Sequence, residues 1–202
     1  VPNGYTKKVD GFTVTNTHKP AEQTVTVTKV WDDANNQDGK RPESITVKLY
    51  ADGVEVDSHV LTGEGNNWSY TFTGLPMYKE GKKIVYTVDE EVVPADYTKD
   101  VDGNVITNSH TPETTDVKVS KVWADSKKMK ESVTIRLLAD GTEVDNVVLS
   151  AENEWTHTFK DLPKYSAGKI IDYTVTEDPL GSFWSAKIEE TADGWVVTNS
   201  YY

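Results

Sequence analysis

The sequence predicts an all-β chain of two tandem antiparallel β-sandwich domains. Three observations carry the prediction. The chain repeats itself with a period near 90 residues, each copy alternates short strand-like segments with turn signals, and Tyr, Trp and Thr are plentiful while helix-like periodicity is scarce.

The repeat can be read directly. "VTKVW" at 27–31 returns as "VSKVW" at 119–123, "ADGVEVD" at 51–57 as "ADGTEVD" at 139–145, and "WSYTFTGLPMY" at 68–78 as "WTHTFKDLPKY" at 155–165. "YTVDE" at 86–90 returns as "YTVTE" at 173–177, and "VITNS" at 105–109 as "VVTNS" at 196–200. The offset drifts between 92 and 87 because loops change length, chiefly where "DDANNQDGKRPE" shrinks to "ADSKKMKE". A unit of this size is a small domain rather than a solenoid repeat, so domains are expected at 21–112 and 113–202. Residues 1–20 match 93–112 at a constant offset of 92. They are expected to be the last strand of another, preceding repeat, with Asn16 standing where Asn108 does.

Within the first copy, strands are expected at 24–31, 44–51, 54–61, 68–75, 84–91, 97–101 and 104–108. Turn signals such as "ADG", "GEGNN", "YKEG" and "VDGN" separate them. No long helix is needed.

The totals narrow the function. The formal net charge is −12, with 33 acidic and 21 basic residues. A nucleic-acid surface needs a basic stripe to replace counterions, and an anionic membrane attracts basic segments, so neither partner fits. No run of about 20 apolar residues is present to span a bilayer. Cysteine is absent, which removes disulfides, thiolate metal sites and cysteine nucleophiles. A secreted chain of small domains must then be stabilised by other means.

Strand alternation identifies polar residues on apolar faces. Val25, Val27, Lys29 and Trp31 share one face, opposite Thr24, Thr26 and Thr28; in the second copy Val117, Val119, Lys121 and Trp123 do the same. Tyr86, Val88 and Glu90 line up, as do Tyr173, Val175 and Glu177. Ile106 shares a face with Asn108, and Val197 with Asn199. Each domain thus aims one Lys, one Glu and one Asn inward. Three readings are open. Pattern alone favours a buried Lys–Glu ion pair with the Asn completing its hydrogen bonds. The residues can also sit at a rim and snorkel. In the third reading burial keeps the amine neutral and the Glu protonated, and the amine attacks the Asn amide to form an isopeptide bond.

At these residues the chain resembles the Cna-B family, the B-type repeat domains of collagen-adhesin-like surface proteins of Gram-positive bacteria. The carrying motifs are "TKVW", "LYADG", "WSYTFTGLPMY", "YTVDEE" and "VITNSHTP", and in the second copy "SKVW", "LLADG", "WTHTFKDLPKY", "YTVTED" and "VVTNS". The resemblance implies two tandem immunoglobulin-like sandwiches of reversed topology, the Cna-B type. It implies a spontaneous bond between Lys29 and Asn108 assisted by Glu90, and between Lys121 and Asn199 assisted by Glu177. Asn16 is the unpaired equivalent, expected to keep its amide unless another polypeptide supplies the rest.

Other signals are set aside. "LPMYK" and "LPKYS" lack the Thr-Gly of a sorting signal and are expected to be a strand end followed by a turn. "DDANNQDGKRPE" is rich in oxygen ligands but out of register for a calcium loop, and is expected to be a solvated loop. The four histidines do not form a metal set. No metal or cofactor is expected, and no enzyme activity beyond one intramolecular self-crosslinking turnover. The expected role is a structural stalk or spacer of a cell-wall-attached extracellular surface protein, an adhesin. Its partners would be neighbouring repeats and, through a distal region, a host extracellular-matrix protein. The competing readings are a host-ligand-binding module using loop 32–43 and a part of a pilus subunit.

Overall fold

The computed structural model describes residues 1–202. It is built almost wholly of strands, with two single-turn 3-10 helices at Ser126–Lys128 and Ala151–Asn153. Chain contacts divide it into two compact units. One comprises Val1–Asn35 and Arg41–His110, the other Asn36–Lys40 and Thr111–Tyr202.

The first unit opens with β1 (Thr6–Asp10) and β2 (Thr13–Thr17), an antiparallel hairpin that forms a sheet of its own. The sandwich proper contains β3 (Glu22–Asp32), β4 (Ile45–Ala51), β5 (Val54–Leu61), β6 (Asn67–Pro76), β7 (Tyr78–Lys79), β8 (Lys82–Lys83), β9 (Tyr86–Glu90), β10 (Thr98–Asp102) and β11 (Val105–Ser109). One sheet has the order β10-β11-β3-β6 and the other β5-β4-β9. The first long strand and the last, β3 and β11, lie side by side and parallel, with Ile106 opposite Lys29 and Asn108 opposite Trp31.

The second unit repeats the plan with β12 (Thr114–Trp123), β13 (Ser132–Ala139), β14 (Thr142–Ser150), β15 (Thr156–Pro163), β16 (Tyr165–Ser166), β17 (Lys169–Ile170), β18 (Tyr173–Glu177), β19 (Trp184–Thr191) and β20 (Gly194–Tyr201). Its sheets run β15-β12-β20-β19 and β14-β13-β18, with β12 and β20 parallel.

Strand alternation builds both cores. Val25, Val27, Val47, Leu49, Phe72, Val88 and Ile106 are buried together in the first, and Val119, Ile135, Leu137, Leu149, Phe159, Val175 and Val197 in the second. The "LP-x-Y" stretches are more than a turn after a strand. After Pro76 and Pro163 the chain enters the two-residue hairpins β7–β8 and β16–β17, too short to show any periodicity. The tyrosines opening β9 and β18 fasten these corners: Tyr86 donates to the Pro76 carbonyl at 2.9 Å and Tyr173 to that of Pro163 at 2.7 Å.

Residues 1–20 contribute two strands, not the single strand expected. The β1–β2 pairing copies that of β10–β11: Thr6 faces Thr17 as Thr98 faces Ser109, and Lys7 faces Asn16 as Lys99 faces Asn108. The copies differ in surroundings. Ile106 and Asn108 are buried, while every residue of β1 and β2, Val14 and Asn16 included, is exposed.

Candidate cross-linking site

Each unit brings one Lys, one Glu and one Asn together inside its sandwich. Lys29 and Asn108 come from the adjacent parallel strands β3 and β11, on the face that looks inward. Glu90 ends β9 in the opposite sheet, paired with Val47 of β4. Lys29 and Asn108 are fully buried and Glu90 nearly so. A lysine with no exposed surface does not snorkel, which removes the rim reading for this unit.

The Lys29 ammonium lies 3.8 Å from the centroid of the Trp31 ring and donates to the Val30 carbonyl at 3.0 Å. The Asn108 amide nitrogen donates to Glu90 Oε1 at 3.0 Å. Two oxygens at this contact, Glu90 Oε2 and Asn108 Oδ1, are buried without a hydrogen bond. Such atoms are costly when left unmatched. Burial lowers the Lys29 pKa to about 8; Glu90 and Asp33 oppose that shift and Arg41 reinforces it. Burial raises the Glu90 pKa, opposed by the Asn108 hydrogen bond and the charges of Lys29 and Lys99. Both shifts favour the uncharged forms.

The second unit repeats the geometry. Lys121 on β12 and Asn199 on β20 are buried neighbours, and Glu177 ends β18 opposite Ile135. Lys121 Nζ is 4.0 Å from the Trp123 ring centroid and 3.9 Å from Glu177 Oε1. It donates to the carbonyls of Val122 at 2.8 Å and Val197 at 3.3 Å. Asn199 Nδ2 donates to Glu177 Oε2 at 2.7 Å, and here too Glu177 Oε1 and Asn199 Oδ1 lack a hydrogen bond. Burial lowers the Lys121 pKa to about 8 and raises that of Glu177.

The seventh residue singled out, Asn16, lies on the exposed hairpin and meets no such pair. The histidines pack on aromatic rings: His59 stacks on Tyr70, His157 lies edge-on to Phe159, and His18 and His110 tilt against Tyr5 and Tyr97. No cluster of three or more metal-binding side chains occurs.

Loop 32–43 departs from expectation, because Asp33 and Asp38 are buried rather than solvated. Arg41 grips Asp33 through two hydrogen bonds, Nη2 to Oδ1 at 2.6 Å and Nε to Oδ2 at 3.0 Å, and Tyr97 donates to the same Oδ2 at 2.8 Å. Sequence reasoning passed over this cluster. The available signal was an arginine among acidic residues, in a loop whose second copy has only lysines as cations.

A first strand hydrogen-bonded side by side to the last, with Lys and Asn on these two strands and Glu across the core, defines a class of tandem β-sandwich repeat modules. The chain belongs to the family of the Cna protein B-type domain, whose profile matches residues 25–109 and 117–200. These repeats are structural modules, not enzymes. A collagen adhesin of Staphylococcus aureus is 43% identical over 206 residues; the match covers 98% of this chain and 17% of that protein. The crystal structure of two B repeat units (B1B2) of the collagen binding protein of S. aureus superposes with a TM-score of 0.79 at 42% identity. That match covers 98% of this chain and 54% of the other.

Proposed function

We propose that the two domains are load-bearing spacer repeats of an extracellular, cell-wall-attached adhesin, each locked by one Lys–Asn isopeptide bond. The observation that carries this reading is the matched pair of orphaned oxygens in both units. An amide's oxygen and nitrogen are nearly interchangeable in shape. Turning the Asn108 amide over brings its oxygen to Glu90, and a protonated Glu90 can then donate to it. The carbonyl carbon becomes electrophilic while the neutral Lys29 amine lies in the same dry pocket.

The step balances within the chain. A bond forms between Lys29 Nζ and Asn108 Cγ, and the Cγ–Nδ2 bond breaks. One amine proton reaches the departing nitrogen by way of Glu90, and ammonia leaves. Lys121, Asn199 and Glu177 do the same in the second unit. Domain boundaries near 21–112 and 113–202 follow from this reading, as does the assignment of residues 1–20 to the closing hairpin of a preceding repeat. A collagen-binding role belongs to the relative; for this chain a host-matrix ligand would be held by a distal region.

Single-molecule extension of the full chain tests the mechanical role. With both bonds in place, the stretches 29–108 and 121–199 cannot be drawn out. The double variant Glu90→Ala, Glu177→Ala is expected to release on the order of 270 Å per repeat, about 80 extended residues. Equal extension in both proteins contradicts the proposal.

A further inference from the structure

The two repeats share their cross-linking residues but not what surrounds them. In the first, Trp31 forms the floor under the Lys29 amine, at 3.8 Å. Trp68 and Tyr97 hold this indole edge-on, each with ring centroids 5.2 Å away. Tyr97 is fixed in turn by its hydroxyl on Asp33, and Asp33 by Arg41. Arg41 also donates to the Gly65 carbonyl and to Asn66 Oδ1, both at 2.7 Å, and its guanidinium carbon lies 5.4 Å from the centroid of the Trp31 ring. Ala34 and Asn35 both take left-handed backbone angles, near φ +53° and +58°, as the loop turns back between Asp33 and Arg41. A non-glycine alanine there carries strain that the loop contacts must offset.

The second repeat has no equivalent. Trp184 stands where Tyr97 does, 5.3 Å from Trp123 and without a phenol to offer. Asp125, the counterpart of Asp33, accepts from the backbone nitrogen of Lys127 instead.

We infer that Asp33, Arg41 and Tyr97 form a positioning clamp for cross-link formation in the first repeat, holding Trp31 beneath the Lys29 amine and setting a fixed guanidinium beside the same ring. This rests on the proposed isopeptide chemistry. The clamp acts in two ways. It keeps the floor of the nucleophile in place, where misplacement is costly to an intramolecular reaction. It also sets a cation near the amine, which disfavours a second positive charge there. The charged groups acting on Lys29 are Glu90 from the opposite sheet and Arg41 and Asp33 from the loop. Arg41 touches neither reacting atom and is a positioning residue, not a catalytic one.

The test uses the full chain assembled by chemical ligation in denaturant, so that neither bond exists at the start. It is refolded by dilution at a series of pH values, quenched over time and digested, and the cross-linked peptides of each site are quantified by mass spectrometry. Folding is followed in parallel by tryptophan fluorescence. In Arg41→Ala, Lys29–Asn108 formation is expected to slow ~tenfold, and its rise with pH to move to higher pH. Lys121–Asn199 formation in the same molecule keeps its rate and its profile. Tyr97→Phe, which removes only the hydroxyl, slows the first site by a smaller factor. A merely structural role would lower the yield without moving the pH profile. An unchanged rate and profile at the first site overturns the clamp and leaves the bond standing, whereas no ammonia loss at either site of the unaltered chain sinks both. Should Arg41→Ala not fold, Tyr97→Phe and Asp33→Asn decide. Both should slow the first site alone, and Asp33→Asn, which removes a charge that raises the Lys29 pKa, should move its profile to lower pH. Unchanged rates at the first site in both overturn the clamp.

Discussion

Trp31, Trp68 and Tyr97 are buried around Lys29, whereas their counterparts Trp123, Trp155 and Trp184 are each partly exposed around Lys121. The Lys–Glu–Asn triads themselves hardly differ. In both, the Asn nitrogen rests on the Glu, the amine lies on a Trp ring, and burial shifts Lys and Glu toward their neutral forms. The proposed chemistry therefore depends on what the two sheets place within the core. The roof over the tryptophan can vary, and does so through one loop and one aromatic substitution. The comparison separates what the bond requires from what tunes it.

The largest effect expected from breaking this comparison is loss of a bond. On the proposed chemistry, Asn108→Ala and Asn199→Ala each remove one cross-link closing a loop of about 80 residues, worth on the order of 4–5 kcal/mol in the chain-entropy account. Calorimetric unfolding should show the larger drop for Asn108→Ala, because it strands the amine whose surrounding rings, Trp31, Trp68 and Tyr97, are themselves buried. Equal drops would mean that the roof does not affect how the unreacted site is tolerated.

A smaller effect lies in pH dependence. In the double variant Asn108→Ala, Asn199→Ala both amines survive, with folded-state pKa values near 8 against an ordinary 10.5. Between those values the unfolded chain binds more protons than the folded one, so stability rises with pH across that window. The penalty is in full force below about 8 and relieved by 10.5. The cross-linked protein has no such amines and should lack the slope. Urea titrations at several alkaline pH values check this; identical slopes would argue that the lysines are free in both.

The smallest effect contrasts two turn glycines. Gly103 and Gly194 occupy equivalent hairpins with φ of +57° and +111°. A Cβ on Gly103 would meet nothing within 4 Å, but on Gly194 it would lie 2.5 Å from the Lys118 carbonyl oxygen. Gly103→Ala should cost ~1 kcal/mol from backbone strain alone, and Gly194→Ala clearly more, as read by thermal unfolding.

Much of this was legible in the sequence because β-structure writes its faces into alternate residues. Lys29, Lys121, Glu90, Asn108 and Asn199 were placed inward by counting in twos along short strands, and all five are buried. The seven strands expected in the first repeat fall within a few residues of β3 to β6 and β9 to β11. The two-residue hairpins were not legible, since a pair of residues has no period. The Asp33–Arg41–Tyr97 cluster was not legible either. It joins a loop to a residue more than 50 positions away, and a loop rich in Asp and Asn looks solvated until its partners are seen. The hairpin of residues 1–20 shows the opposite limit. Its likeness to 93–112 was readable, but it holds two strands where one was expected, and its exposure depends on what stands beside it.

The most direct test of the central claim is the intact mass of the full chain under denaturing conditions. Two completed Lys–Asn bonds predict a mass lower than the sequence requires by two molecules of ammonia, with digestion joining peptides that contain Lys29 to Asn108 and Lys121 to Asn199. A mass equal to that of the unmodified sequence contradicts the account.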